Sequence, residues 1–243
     1  QEYLARFPTE PQSYEMRYYL AESLYYSGQF REAAATYLEV AADPYQGKFR
    51  EPSAWSSVKS YEKIVQESVA AQQIPEKSNP NTPWKPEKVE NETDQIQTID
   101  AEPYPQEVSD WLAAVDFYVL RDIQRDGSRK PQVAFAYQAA SIAYRFRDLE
   151  DARSRFKQVV ACFPDDDLAA DAMANILNSY RDENDLENLE RWAGIADKLQ
   201  LGNPEITAEI QKKIKVFKLG AQFQKAETLL ADGKHLEAAK EFE

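Results

Sequence analysis

The sequence is poor in the residues that build cross-links, metal centres and nucleotide loops. Its 243 residues include one Cys, one His and seven Gly. One Cys cannot form an internal disulfide, and one Cys with one His cannot complete a His/Cys zinc site. The small number of Gly argues against β-sandwiches with Gly turns, and no GxxxxGK[ST], GxGxxG, GxSxG or HExxH pattern occurs. We therefore expect no cofactor, no metal site and no enzymatic activity.

The two rare reactive side chains are both expected to be structural. His235 stands at the start of an apolar-periodic segment, where related segments have Phe30 and Leu149. Cys162 follows Val159 by three residues near the end of another such segment. No basic residue adjoins it to activate the thiol, so we expect Cys162 to be buried and inert.

Positive charge and long apolar runs are scarce as well. The chain has 29 Lys and Arg against 42 Asp and Glu, which gives a net charge of −13. Nucleic-acid binding, which a basic surface drives, is therefore not expected. No apolar run approaches the roughly 20 residues of a membrane-spanning helix, so any membrane association would need an anchor outside this chain.

What the sequence does contain is an internal repeat. Residues 14–44 and 135–164 share a pattern of small and aromatic residues at helical spacing, and residues 172–197 and 219–242 follow the same layout less closely. The corresponding residues of the first two stretches are Ala21/Ala140, Ala33/Ala152, Tyr37/Phe156, Val40/Val159 and Pro44/Pro164. A single pair of helices with this pattern cannot bury its apolar face, so the pairs are expected to stack.

This pattern resembles the tetratricopeptide repeat, in which about 34 residues form two antiparallel helices. The resemblance implies an all-α fold, a right-handed superhelix of about five stacked helix pairs, in one domain over residues 1–243. The signature Trp of the family is absent from these copies. The predicted repeats are 12–44, 53–73 with 106–125, 131–164, 167–200 and an incomplete 205–243.

The second predicted repeat is split by a long insertion, residues 74–105. The insertion holds six of the 13 Pro, and its three Lys against seven Asp and Glu give a net charge of −4. Such a composition favours an irregular segment. It is either a mobile acidic loop or an arm that lies across the superhelix or binds a partner, and in the second case Trp84 is the candidate anchor.

The resemblance also indicates which residues line a concave binding groove. Carried over position by position, the groove residues are Tyr18, Glu22, Tyr25 and Tyr26 in the first copy, Tyr137 and Tyr144 in the third, and Asn178 and Arg181 in the fourth. Tyrosines on helices can instead pack between helices, and this alternative stays open for each of them. Family members that bind a carboxylate tail have basic and amide side chains at these positions, whereas this first copy has Tyr18 and Glu22.

A group of cations, Arg145, Arg147, Arg153, Arg155 and Lys157, interrupts the otherwise acidic sequence. Asp148, Glu150 and Asp151 lie among them, so we expect these charges to pair with one another. An acidic partner that docks on this segment is the alternative.

The expected function is a non-enzymatic scaffold that binds other proteins or peptides. The Tyr-rich first copy, between its Phe-Pro and Asp-Pro segments, is similar to repeat proteins of the bacterial envelope, including lipoproteins that assist outer-membrane assembly. This similarity implies a periplasmic protein of an envelope machine for membrane-protein assembly, secretion or surface motility. The alternatives are a cytosolic adaptor or regulator and an accessory module of a larger multidomain protein.

Overall fold

The structure, a computed structural model, describes residues 2–7, 10–45, 47–83, 100–121, 123, 127–199, 201 and 204–241. Within these residues every regular element is a helix and no strand occurs, so the prediction of an all-α fold is confirmed. The described residues form two compact units, one within 1–83 and 102–146 and the other within 100–101 and 147–243. Within each unit, helices pack mainly against their neighbours in sequence.

Unit 1 is a row of helices in chain order. Its described elements are α1 (Glu2–Arg6), α2 (Pro11–Tyr26), α3 (Phe30–Ala42), α4 (Arg50–Ala70), a short 3-10 helix (Glu76–Ser78), α5 (Gln106–Leu120) and α6 (Lys130–Arg145). Helix α2 packs on α3, α3 on α4, α4 on α5, and α5 on α6. The first turns of α2 and α6 contain Pro11 and Pro131, where the missing N–H of proline costs no helical hydrogen bond.

Small side chains pack α3 against α4 in unit 1. Ala33, Ala34 and Ala54 are completely buried. The Ser57 hydroxyl of α4 donates a hydrogen bond to the Ala34 carbonyl of α3 at 3.0 Å. The predicted burial of Ala33 is thus confirmed.

The larger core of unit 1 lies between α4, α5 and α6. It is built around Trp111, Tyr118, Ile142 and Phe146, each at most 1% exposed. Burying a large apolar side chain contributes roughly 1.5–3 kcal/mol relative to exposure, so this cluster is the main stabilising element of the unit.

Unit 2 is also built of helices that pack on their neighbours in sequence, and one of its helices packs in addition on the second helix before it. Its described helices are α7 (Leu149–Cys162), α8 (Asp167–Asp182), α9 (Leu186–Ala196), α10 (Pro204–Ala231) and α11 (His235–Glu241). Helix α8 packs on α7 and α9, and α10 packs on α8, α9 and α11. Its core includes Met173, Ile176, Leu189 and Ala193, which are all at most 3% exposed.

Four helix-to-helix turns of the chain have the same geometry. In α2–α3, α6–α7, α8–α9 and α10–α11, three residues separate the helices, and the second of the three has a left-handed backbone. These residues and their φ values are Gly28 (80°), Arg147 (60°), Asn184 (55°) and Gly233 (75°). At three of the turns, the next N–H bonds a carbonyl five residues earlier: Gln29 to Leu24 at 2.9 Å, Asp185 to Tyr180 at 2.9 Å and Lys234 to Leu229 at 2.8 Å.

Helix α4 ends in the same way before the insertion. Gln72 has a φ of 57°, and the Gln73 N–H bonds the Ser68 carbonyl at 2.9 Å. Instead of entering the next helix two residues later, the chain runs through the insertion, and α5 begins at Gln106. The insertion therefore starts at the turn that elsewhere joins two helices directly.

The expectation that Cys162 is buried is wrong. Cys162 is exposed, while Val159 and Phe163 beside it are buried. Cys162 is the last residue of α7, and the helical phase turns Val159 inward but leaves the Cys162 side chain on the outer side of the final turn. His235, the first residue of α11, is exposed as well.

Candidate protein-binding surface

The predicted groove residues of the first copy lie on α2, which exposes aromatic side chains to solvent. Tyr26 is 82% exposed and Tyr19 51% exposed. Tyr18 and Tyr25 are half-buried, because they pack on the small core formed by α2 and α3. Packing between helices thus explains the buried part of the Tyr18 and Tyr25 side chains, whereas most of the Tyr26 side chain takes no part in such packing.

Glu22 is held in place by two tyrosine hydroxyls. The Tyr37 hydroxyl of α3 donates to Glu22 Oε1 at 2.5 Å. Tyr18, one turn earlier on α2, also hydrogen-bonds Glu22, and burial together with this carboxylate raises the pKa of Tyr18 to about 12. Burial and Glu22 raise the pKa of Tyr37 too. Both phenols stay protonated at physiological pH, so they remain donors that fix the Glu22 carboxylate.

Two turns earlier, Glu15 forms a second acidic centre. Its Oε1 accepts hydrogen bonds from the Tyr19 hydroxyl at 3.0 Å and from Lys48 Nζ at 3.4 Å. The same Lys48 ammonium lies 4.6 Å from the centroid of the Phe49 ring. A carboxylate and an aromatic ring thus share one cation of the chain itself.

Phe49 is fixed by contacts with α2. Its ring stacks on Tyr18 with centroids 4.1 Å apart, and its backbone N–H donates to the Tyr14 hydroxyl at 3.1 Å. No sequence pattern assigned Tyr19, Lys48 or Phe49 to a site. The spacing of Glu15 and Tyr19 by one helical turn was a readable signal, whereas the return of residues 48 and 49 onto α2 depends on tertiary packing.

The two tyrosines predicted in the third copy lie elsewhere in unit 1. Tyr137 is half-buried and Tyr144 is 6% exposed, both on α6. Helix α6 packs on α5 and on the 3-10 helix, so these tyrosines are not part of the α2 surface. Their role in binding stays a prediction.

The predicted groove residues of the fourth copy belong to unit 2. Asn178 is 6% exposed within α8, so little of its amide is accessible. Arg181, one turn later, is half-buried, and its Nη2 lies 3.0 Å from Asp182 Oδ1. A binding role for these two residues is likewise still a prediction.

The cationic residues of α7 make contacts within unit 2. Arg153 pairs with Glu183 at 2.5 Å, and Arg155 pairs with Asp151 at 2.7 Å. Lys157 Nζ donates to the Tyr180 hydroxyl at 3.1 Å and lies 4.5 Å from the Trp192 ring centroid. These contacts favour the expectation of internal pairing over an acidic partner on this segment.

Both described ends of the insertion are docked on unit 1. Lys77 Nζ pairs with Glu102 Oε2 at 2.5 Å, so the two ends lie side by side. The Glu102 N–H donates to the Phe146 carbonyl at 2.8 Å, and the Tyr104 ring contacts the Phe146 ring with centroids 5.3 Å apart. The base of the insertion is therefore anchored where α6 ends.

A partly buried polar network holds the first described end of the insertion, residues 79–81. Asn81 Nδ2 donates to the buried Glu62 of α4 at 2.7 Å, and Gln138 of α6 donates to Asn81 Oδ1 at 3.3 Å. Arg145 Nη1 donates to the Asn79 carbonyl at 3.0 Å, and burial lowers the pKa of this guanidinium to about 10. Residues 79–81 are thereby fixed between α4 and α6. Trp84, the predicted anchor, lies outside the described residues.

In the described part of the chain, no group of three or more His, Cys, Asp or Glu side chains is arranged to hold a metal ion.

No helix among the described residues combines the length and the apolar character needed to cross a membrane.

Comparison of the chain with protein-family models and with curated protein sequences gives no match. The residues and the geometry of the α2 surface therefore carry the proposed function.

Proposed function

We propose that the chain is a non-enzymatic scaffold of the tetratricopeptide-repeat kind that binds partner proteins or peptides. The four equivalent turns support this proposal. The residue five positions after each left-handed residue is buried and apolar: Ala33, Ala152, Leu189 and Ala238. Within each unit the helices stack on their sequence neighbours, with the additional α8–α10 contact in unit 2, and this is the packing expected of a repeat array.

The observation that carries the binding role is the composition of the exposed face of α2. Tyr26, Tyr19 and Met16 are 82%, 51% and 48% exposed, which is costly for large apolar groups unless something covers them. Tyrosine combines a large contact area with a polar tip and is enriched in protein interfaces. The acidic Glu15 and Glu22 lie among these rings and add directional contacts.

The compartment that we propose is the periplasm of a bacterium, within an envelope machine. This part of the proposal rests on the similarity of the Tyr-rich first copy to envelope repeat proteins. Protease accessibility in spheroplasts compared with lysed cells tests it: protection until lysis would instead favour the cytosolic adaptor.

Crosslinking mass spectrometry in native cell extract tests the binding role. The protein is compared with the double variant Tyr19→Ala and Tyr26→Ala, whose side chains contribute little to the core because both are more than half exposed. We expect intermolecular crosslinks near α2 in the wild type and their loss in the variant.

The matched control is Leu120→Ala, since Leu120 is 68% exposed in the same unit but lies at the end of α5. This control should retain the crosslinks. Equal crosslinking by the α2 variant and by the wild type would contradict the assignment of the binding face to α2.

A further inference from the structure

We propose that α2 carries a double site for two cationic side chains of a partner protein, one at Glu15 and one at Glu22, and that Lys48 of this chain covers the first. The proposal rests on the proposed function, because it specifies the chemistry of a partner at the same surface. The partner is a protein segment that bears Lys or Arg.

The Glu15 half already contains a cation, which shows what this half recognises. Lys48 Nζ lies 3.4 Å from Glu15 Oε1 and 4.6 Å from the Phe49 ring centroid. The Lys48 side chain is nevertheless 71% exposed, and Glu15 is 46% exposed. An ion pair this open to water is weak, so a cation delivered by a partner can replace it.

The Glu22 half also combines a carboxylate with aromatic rings, but no described residue supplies a cation to it. Glu22 is bonded by the hydroxyls of Tyr18 and Tyr37, which orient the carboxylate and leave its charge in place. Among the described residues, no Lys or Arg forms an ion pair with it. Tyr25 and Tyr26 follow Glu22 by three and four residues on α2, so the exposed Tyr26 ring offers an aromatic surface on the same helix face.

The spacing of the two acids defines the partner further. Glu15 and Glu22 are seven residues apart on α2, which places both on one face, about 10 Å apart along the axis. A partner in the extended polyproline II conformation rises about 3.1 Å per residue with three residues per turn, so its side chains three positions apart lie on one face, about 9 Å apart. Two cations separated by two other residues in such a partner therefore match both halves.

Charge complementarity selects a cationic segment over a neutral or acidic one. The net charge of the chain is −13, so its field attracts a basic partner and repels an acidic one. Phenol and phenyl rings add attraction specific to ammonium and guanidinium groups.

Titration of the full chain by NMR with two capped synthetic peptides tests the inference. The peptides are identical and extended, except that one has two Lys separated by two residues and the other has Gln at both positions. We expect the Lys peptide to shift the ring signals of Tyr19 and Tyr26 at low ionic strength. Binding should weaken as added salt screens the charges.

Substitutions in the chain show which residues bind the Lys peptide. Glu15→Gln and Glu22→Gln keep an acceptor oxygen for the tyrosine hydroxyls but remove the charge, and each should weaken binding about two- to fivefold, the range of one exposed cation contact. Lys48→Met should strengthen binding by a similar factor, because it removes the internal competitor. Glu67→Gln, an exposed acid of α4, is the matched control and should change nothing.

Equal affinity for the Lys and Gln peptides, absence of binding by both, or weaker binding after Lys48→Met would overturn the inference. The proposed function is judged separately by the crosslinking experiment. Crosslinks at α2 to partner segments without Lys or Arg would leave the scaffold function standing and refute the cationic site. Absence of crosslinks at α2 in the wild-type protein would refute the binding face itself.

Discussion

Gly28 and Gly194 should respond to the same substitution with opposite signs. Gly28 ends α2 with a φ of 80°, whereas Gly194 lies inside α9. A Cβ atom added at either position would meet no other heavy atom within 4 Å. Steric clash is therefore absent in both cases, and only the backbone preference of alanine decides the outcome.

The magnitudes follow from the two backbone states. Left-handed backbone costs alanine roughly 1–2 kcal/mol. The lower entropy of an unfolded chain with Ala instead of Gly offsets about 0.4–1 kcal/mol of this. Gly28→Ala should then destabilise unit 1 by about 1 kcal/mol. Within a helix Ala is favoured over Gly by about 1 kcal/mol, so Gly194→Ala should stabilise unit 2 by up to that amount.

Urea denaturation followed by far-UV circular dichroism measures both effects, with a fit that allows the two units to unfold separately. Gly28→Asn is the control, because Asn tolerates the left-handed region and occupies the equivalent turn at Asn184. It should cost less than Gly28→Ala. A Gly28→Ala protein as stable as the wild type would refute the left-handed turn and, with it, the equivalence of the four turns.

Three further outcomes test other parts of the structure. Tyr37→Phe keeps the buried ring but removes the hydroxyl bonded to Glu22, and should lower the free energy of unfolding by about 1.5 kcal/mol in urea denaturation; no loss would contradict that bond. Asn81→Ala should speed limited proteolysis at the base of the insertion relative to the exposed control Gln73→Ala, and equal rates would contradict the docked network. The pKa of Tyr18, raised by burial to about 12, exceeds the value near 10 of an unfolded tyrosine, so the folded state retains a proton that the unfolded chain has lost. Stability should thus fall as pH rises from about 10 to about 12, and Tyr18→Phe should lessen this fall in denaturation curves across that range.

Local regularities of the sequence predicted the helices and much of the core. The small residues at Ala33 and Ala152 and the aromatic residues at Tyr37 and Phe156 are all buried, as their helical spacing indicated. These predictions succeed because the pattern along one helix reports which face is buried.

Contacts between distant residues were not predictable in this way. The network from Glu62 to Asn81 and Gln138 joins residues that no local pattern connects. The stacking of Phe49 on Tyr18 is of the same kind. The exposure of Cys162 illustrates another limit, because the burial pattern of a helix ends with its last turn.

The ion pair between Lys77 and Glu102 holds the two ends of the insertion together. With the ends already held side by side, a longer chain between them costs little, since each doubling of a flexible loop adds only about 0.6 kcal/mol of closure entropy. The length of the insertion can then change without changing how the helices stack. A folded reporter or an epitope could be inserted between Asn81 and Glu102, which keeps the contacts of Asn81 with Glu62 and Gln138 and makes this position a natural grafting point.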